Sequence, residues 1–183
     1  MSSRGNGMQG KIYKVLQARV QADWQGLIKY RLKTALLHNP TEADAWTLNS
    51  ELILSLRKLF KTVGQSCAMS VIKTWVNAWC TTVRFPDDEA RQCIFGCDAE
   101  DDTAHYLSCD TLWTIIISTW SSRSEHLNWS PLQKLSLVNP CKDCIVCLAA
   151  AFAAYHACRK LPDDDMELIL ETAFNEAVFI CMP

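Results

Sequence analysis

The stretch running from Cys93-Ile94-Phe95-Gly96-Cys97 to His105 and Cys109 constrains this chain more than any other. Its spacing is C-x3-C-x7-H-x3-C. Three thiolates and one imidazole are the ligand set of a closed, tetrahedral structural zinc site. Gly96 lets the first turn fold tightly, because glycine accepts positive φ. His105 and Cys109, four residues apart, point the same way from one helical turn. The spacing predicts two ligands from a loop, Cys93 and Cys97, and two from a helical turn, His105 and Cys109, around one Zn2+. Closed coordination leaves no position for a substrate, so the metal is expected to staple the fold.

The chain carries ten cysteines in 183 residues. Its N-terminus has no apolar core of an export signal, so disulfides are not expected. The chain reads as intracellular, in cytoplasm, nucleus or both. The longest apolar run, residues 144–155, is too short to span a bilayer, so no membrane partner is expected. A second cluster is Cys141, Cys144 and Cys147, with His156 and Cys158 further on. Cys144 and Cys147 share a helix face with Leu148 and Ala151, while His156 and Cys158 lie too far along the same helix to join Cys144. These are expected as buried thiols; the sequence leaves open whether Cys141, Cys144 and Cys147 ever bind metal.

Charge is unevenly distributed. Residues 1–85 hold twelve basic and four acidic side chains, and residues 86–183 hold six and sixteen. Lys29, Arg31, Lys33, Arg57, Lys58, Lys61, Lys73 and Arg84 are the candidates for contact with RNA or DNA phosphates. Two oppositely charged halves that attract each other explain the asymmetry equally well. Arg57, Lys58 and Lys61 also suit the dipole at a helix C-terminus.

Apolar periodicity predicts helices on both sides of the knuckle. One covers residues 10–38, with Gly26 marking a possible kink. A second starts at a Thr41 cap and stops at Gly64. A third starts at a Ser66 cap and ends at Pro86, with Trp75 and Trp79 together on one face. The two tryptophans read as core rather than as base-stacking platforms. After Cys109 a helix through Leu112, Trp113, Ile116, Ile117 and Trp120 is expected, with a strand as the alternative because of its β-branched residues. Ser130-Pro131 opens a short helix to Val138. A strongly apolar helix spans 142–160, and an amphipathic one follows the acids Asp163, Asp164 and Asp165. The expected fold class is all-α, a helical bundle-like array with a small zinc-knuckle insert. Its parts are a basic helical segment, 1–85, and the knuckle packed with C-terminal helices, 86–183.

No catalytic constellation emerges. Phe85-Pro86-Asp87-Asp88 superficially matches a polymerase metal motif, but that motif needs strands flanking a tight turn. Pro162-Asp163 has no lysine downstream to complete a nuclease core. P-loop, GxSxG and HExxH signatures are absent. The chain is therefore not expected to be an enzyme.

One resemblance covers about 40 residues. Lys73-Thr74-Trp75-Val76-Asn77-Ala78-Trp79-Cys80 is followed by Arg84-Phe85, the Cys93-x3-Cys97 turn, Asp101 to Cys109, and Leu112-Trp113. Together these resemble the C-terminal CCHC zinc-knuckle region of non-LTR (LINE-type) retrotransposon reverse transcriptases. The resemblance implies that Cys93, Cys97, His105 and Cys109 are zinc ligands. It implies that the region helps bind element RNA or target DNA during target-primed reverse transcription. Residues 10–62 would correspond to thumb or post-thumb helices beside an upstream polymerase domain. This chain has no palm motifs and no following nuclease, which implies a non-catalytic accessory module, a fragment or remnant of such an element. The alternative is a zinc-stapled helical protein-interaction module that does not touch nucleic acid; Asp98, Glu100, Asp101 and Asp102 would give its knuckle an acidic surface.

Overall fold

The computed structural model describes residues 23–85, 91–120 and 129–182, and every regular element among them is a helix. In chain order they are α1 (Trp24–Arg31) running into a π-helical turn (Leu32–Leu36), α2 (Thr41–Ala45), α3 (Ser50–Phe60) and α4 (Gln65–Trp75). After these come α5 (Thr103–Ser108), α6 (Asp110–Trp120), α7 (Pro131–Lys134), α8 (Lys142–Cys158) and α9 (Met166–Cys181). The only β pairing in the described residues is one isolated antiparallel bridge, Gln92 with Glu100. The fold is all-α, as expected. No described helix is long and apolar enough to cross a membrane.

Helix α8 is the axis of the molecule. It is apolar nearly all round and buried nearly all round, which is how a central helix differs from an amphipathic surface one. Four of its six alanines, Ala149, Ala150, Ala151 and Ala154, are fully buried and let α4 and α9 pack closely against it. One edge of α8, through Ile145 and Leu148, completes a core built from Ile28, Leu32, Leu36, Trp46, Leu56 and Trp75. The opposite edge, through Cys147, Ala151 and Tyr155, completes a second core with Trp79, the knuckle, α6 and α9. Both cores draw residues from either side of residues 85/86: Leu107, Leu135 and Leu137 enter the first, and Trp79 enters the second.

Several helices are shorter than their periodicity predicts. The helix expected over residues 10–38 can be followed only from Asp23, whose side chain caps α1 by accepting from the Gly26 N–H. Gly26 therefore lies in the first turn of α1 rather than at a mid-helix kink. Its residues 10–22 lie outside the described part. The segment expected as one helix from Thr41 is two, because Trp46 leaves the helix in an extended conformation. There Trp46 is buried and donates its indole N–H to the Leu137 carbonyl at 2.9 Å. Asn49 then caps α3 through the Leu52 N–H. Gly64 is not the stop of α3; it adopts an extended conformation as the N-cap of α4, displacing the cap expected at Ser66.

The largest departure is at Asn77. Helix α4 ends at Trp75, and Asn77 takes φ 55. Asparagine tolerates this left-handed conformation better than most residues do. The break sends Trp75 and Trp79 into different cores, so they do not share a helix face. Both are core residues all the same, Trp79 with 0% of its surface exposed. Helix α7 is likewise only one turn: it opens at Ser130-Pro131 as expected, with Ser130 and Gln133 forming a capping box, but Ser136 at φ 57 ends the helix before Val138. Helix α6 settles the other ambiguity in favour of a helix from Asp110.

Candidate metal centre

The knuckle is assembled from a tight loop and a single helical turn. Cys93 donates its N–H to the Ala99 carbonyl at 2.8 Å, and Asp101 donates its own to Arg91 at 3.0 Å, closing the loop on itself. Inside it, Gly96 donates to the Cys93 carbonyl at 3.1 Å and adopts φ 81, the conformation its place in the motif predicts. A Cβ at Gly96 would meet Met166 Cε at 3.0 Å, so the turn is pressed against the start of α9. Asp102 caps α5 by accepting the His105 N–H, which fixes the backbone of that ligand, and Cys109 closes the same helix.

This folding brings Cys93, Cys97, His105 and Cys109 together, with one potential ligand atom from each lying within 4.8 Å of all the others. The Cys109 Sγ stands 3.9 Å from that of Cys93 and 3.5 Å from that of Cys97. A tetrahedral ion about 2.3 Å from each sulfur needs sulfur–sulfur separations of about 3.8 Å, so these cysteines are spaced for coordination. The His105 Nε2 is buried and makes no hydrogen bond, which leaves a lone pair without a protein partner. The four residues thus fit a metal ion. A hydrogen bond from Cys109 holds the Cys93 thiol down to about 5, assisted by the backbone N–H groups of Phe95 and Cys97 and opposed by burial. Cys109 is pushed the other way, first by its bond to Cys93 and then by burial.

Two buried charged residues support the centre, and sequence reasoning missed both. Asp101 is 0% exposed, not part of an acidic knuckle surface. Its carboxylate accepts from Tyr106 Oη at 2.7 Å, Tyr155 Oη at 3.1 Å, the Thr82 N–H at 2.7 Å and Arg159 at 3.0 Å. Tyr106 Oη in turn accepts the Ile94 N–H at 3.2 Å, so loop, α5 and α8 meet at one carboxylate. The other is Lys134, 8% exposed, which donates to the Leu107 carbonyl at 2.9 Å and sits 4.5 Å over the Trp113 ring. Burial pulls its ammonium down to about 8, against the upward pull of Asp110 and Cys109. Nothing in the sequence announced Arg159 or Lys134 as partners.

The candidate phosphate contacts are dispersed. Lys29 donates to the Asp44 carbonyl at 3.3 Å, and Lys33 forms an ion pair with the Asp44 carboxylate. Arg57, Lys58 and Lys61 are exposed at the C-terminal end of α3. The Lys73 ammonium lies 5.7 Å from the Phe152 ring. Arg31, Lys33 and Arg84, however, converge with His38 and Tyr30 on one groove of about 360 Å³. Its far wall is Asp102, Thr103 and Ala104, the start of the helix that carries His105. Arg31 enters with its Nε buried and unpartnered, beside exposed Tyr30 at 5.5 Å. Arg84 lies 4.8 Å over exposed Phe85.

The remaining candidates resolve simply. Cys144, Cys147 and Cys158 are buried thiols, as expected, and Cys141 is half-buried. The group around Cys93 is the one metal-capable Cys/His cluster among the described residues. Asp165 caps α9, and Asp163 pairs with Arg91 at 3.5 Å on the surface. Pro86, Asp87 and Asp88 lie outside the described residues. No family model, no curated protein and no solved structure matches this chain.

Proposed function

We propose that this chain is a non-catalytic, zinc-stabilised nucleic-acid-binding module, related to the knuckle region that follows the polymerase of LINE-type retrotransposons. Zinc is the ion that three thiolates and an imidazole in closed tetrahedral array suit best. The metal centre carries a net charge of -1 and offers no open position, so its role is to hold α5 in place. RNA or DNA is the partner, gripped beside the knuckle rather than by it.

What carries the proposal is the groove between the π-helical turn and α5. Arg31 and Lys33 line it from the α1 end and the π-helical turn, and Arg84 reaches it from the segment after α4, with His38 alongside. Two arginine–aromatic pairs, Tyr30 with Arg31 and Arg84 with Phe85, flank it. Cations that track a phosphate chain beside exposed rings on which bases stack are the physical ingredients of single-strand binding.

Fluorescence anisotropy with single-stranded RNA, single-stranded DNA and duplex DNA across a salt series tests it. Affinity is expected to fall as salt rises, because bound phosphates release counterions. The double variant Arg31→Ala, Arg84→Ala is expected to reduce the log–log salt slope by about one per lost contact. Absence of binding at low salt, with the chain folded and metal-loaded, would overturn the proposal. A second reading has one observation of its own: α9 exposes Phe174 and Phe179 to solvent. A zinc-stapled protein-interaction module would use that face, and would be the surviving account if no nucleic acid binds.

A further inference from the structure

Helix α8 begins in an unusual way. Its N-cap is Cys141, in an extended conformation, and the Cys141 sulfur accepts the Cys144 N–H at 3.3 Å in the place where a serine or aspartate oxygen ordinarily sits. The Cys141 thiol in turn donates to the Cys144 sulfur at 3.1 Å, a closer approach than Cys109 makes to either sulfur in the candidate metal centre. Cys141 is half-buried, while Cys144 behind it is buried. Asn139 at φ 45 and Pro140 lead into the cap, so the approach of Cys141 to the helix end is set by the backbone.

We infer that Cys141 and Cys144 form a redox-active dithiol that closes to an intramolecular disulfide in exchange with low-molecular-weight disulfides. The arrangement supplies each requirement of that chemistry. One sulfur is reachable and the other is shielded but in contact with it. Once Cys141 is ionised, the adjoining Cys144 thiol and the backbone N–H groups at the helix start donate to it and favour its thiolate, holding it down to about 6. Its hydrogen-bonded contact with Cys141, and then burial, push Cys144 up and keep it a thiol until it is called on. Asp143, the acid of the first turn, has its carboxylate on the Trp120 indole N–H at 2.9 Å.

In the first step the Cys141 thiolate attacks one sulfur of a disulfide RSSR, forming a mixed disulfide and expelling RS⁻. In the second, Cys144 loses its proton to solvent and attacks the Cys141 sulfur, expelling the other RS⁻, which takes up a proton. The protein loses two electrons, and RSSR is reduced to two RSH. The metal centre takes no part, since its thiolates belong to other elements. The pair stands independently of nucleic-acid binding, so either proposal survives failure of the other.

The test uses the full-length, metal-loaded chain in glutathione/glutathione-disulfide buffers of increasing oxidising strength. Samples are acid-quenched, alkylated, digested with trypsin and mapped by mass spectrometry. Cleavage after Lys142 separates the two cysteines unless a disulfide joins them. The joined peptides are expected in the wild-type chain before any other cysteine, exposed Cys80 included, is modified, with zinc content unchanged. Cys144→Ser is expected to trap glutathione on Cys141, and Cys141→Ser to leave residue 144 unmodified. Recovery of Cys141 and Cys144 as separately alkylated thiols in buffers that already modify Cys80 would overturn the inference. So would oxidation confined to Cys93, Cys97 and Cys109 with loss of zinc. The wild-type map decides the matter even if a variant fails to fold.

Discussion

Asp101 shows how far one residue can differ from its sequence appearance. It sits in a run of acids that reads as a solvated loop, yet four donors converge on its carboxylate with no exposed surface. A buried charge of this kind is tolerated only when it is paired and hydrogen-bonded. Removing Asp101 takes away an acceptor shared by the Thr82 N–H, the Arg159 guanidinium and two tyrosine hydroxyls. Asp101→Ala is expected to destabilise the chain by about 3–5 kcal/mol, as for other broken buried pairs, read from urea denaturation midpoints. Asp101→Asn will not rescue it, because its amide aims donors at groups that also donate. Asp98→Asn, on the exposed side of the same loop, is expected to shift stability by about 0.5 kcal/mol or less. Equal effects of Asp98 and Asp101 variants would show that Asp101 is not the hub. The gathering of Cys93, Cys97, His105 and Cys109, by contrast, was legible directly: a fixed spacing of soft side chains and one glycine define a local structure almost independently of the rest. Asp101 was not legible because three of its partners, Thr82, Tyr155 and Arg159, come from outside the knuckle.

At the scale of elements, periodicity found the helices and misjudged where they stop. The stripe from Met69 to Val83 continues in the sequence after α4 has ended, because two tryptophans four apart satisfy the helical period whichever cores they enter. What ends α4 is Asn77, which turns the chain at φ 55 and whose Oδ1 accepts the Thr103 hydroxyl at 2.8 Å. That bond ties the turn to the start of the knuckle helix. Asn77→Ala is expected to cost about 1–3 kcal/mol, from the left-handed backbone and the buried hydroxyl left unpaired, measured by thermal or urea unfolding. Asn77→Gly keeps the backbone and loses only the hydrogen bond, so it should fall between wild type and Asn77→Ala. The reverse order would mean that backbone conformation plays no part. Trp46 ends α2 for a like reason, a tertiary demand that no local pattern carries: its indole N–H meets the Leu137 carbonyl. The buried character of α8 was visible in advance, since a strongly apolar helix with six alanines has nowhere else to go.

At the scale of the whole molecule, the metal centre, the buried carboxylate and the central helix form one connected structure. Loop and α5 converge on the metal ligands. Asp101 joins them to Thr82, Tyr155 and Arg159, and α8 joins both hydrophobic cores. The charge asymmetry of the sequence is resolved unevenly: Lys29 and Lys33 answer to Asp44, while Arg31 and Arg84 are gathered on the groove beside α5. That gathering was invisible in sequence, because it depends on the π-turn and the Asn77 turn meeting the knuckle. All of it presupposes that the four ligands hold an ion, for metal-binding energy is folding energy in a small site of this kind. Metal analysis of the purified chain, wild type beside Cys97→Ala and His105→Ala, tests this most directly. The account predicts one zinc per wild-type chain and its loss in both variants, with structure lost around residues 91–113. A wild-type chain that folds without zinc, or variants that keep a full equivalent of it, would contradict the account.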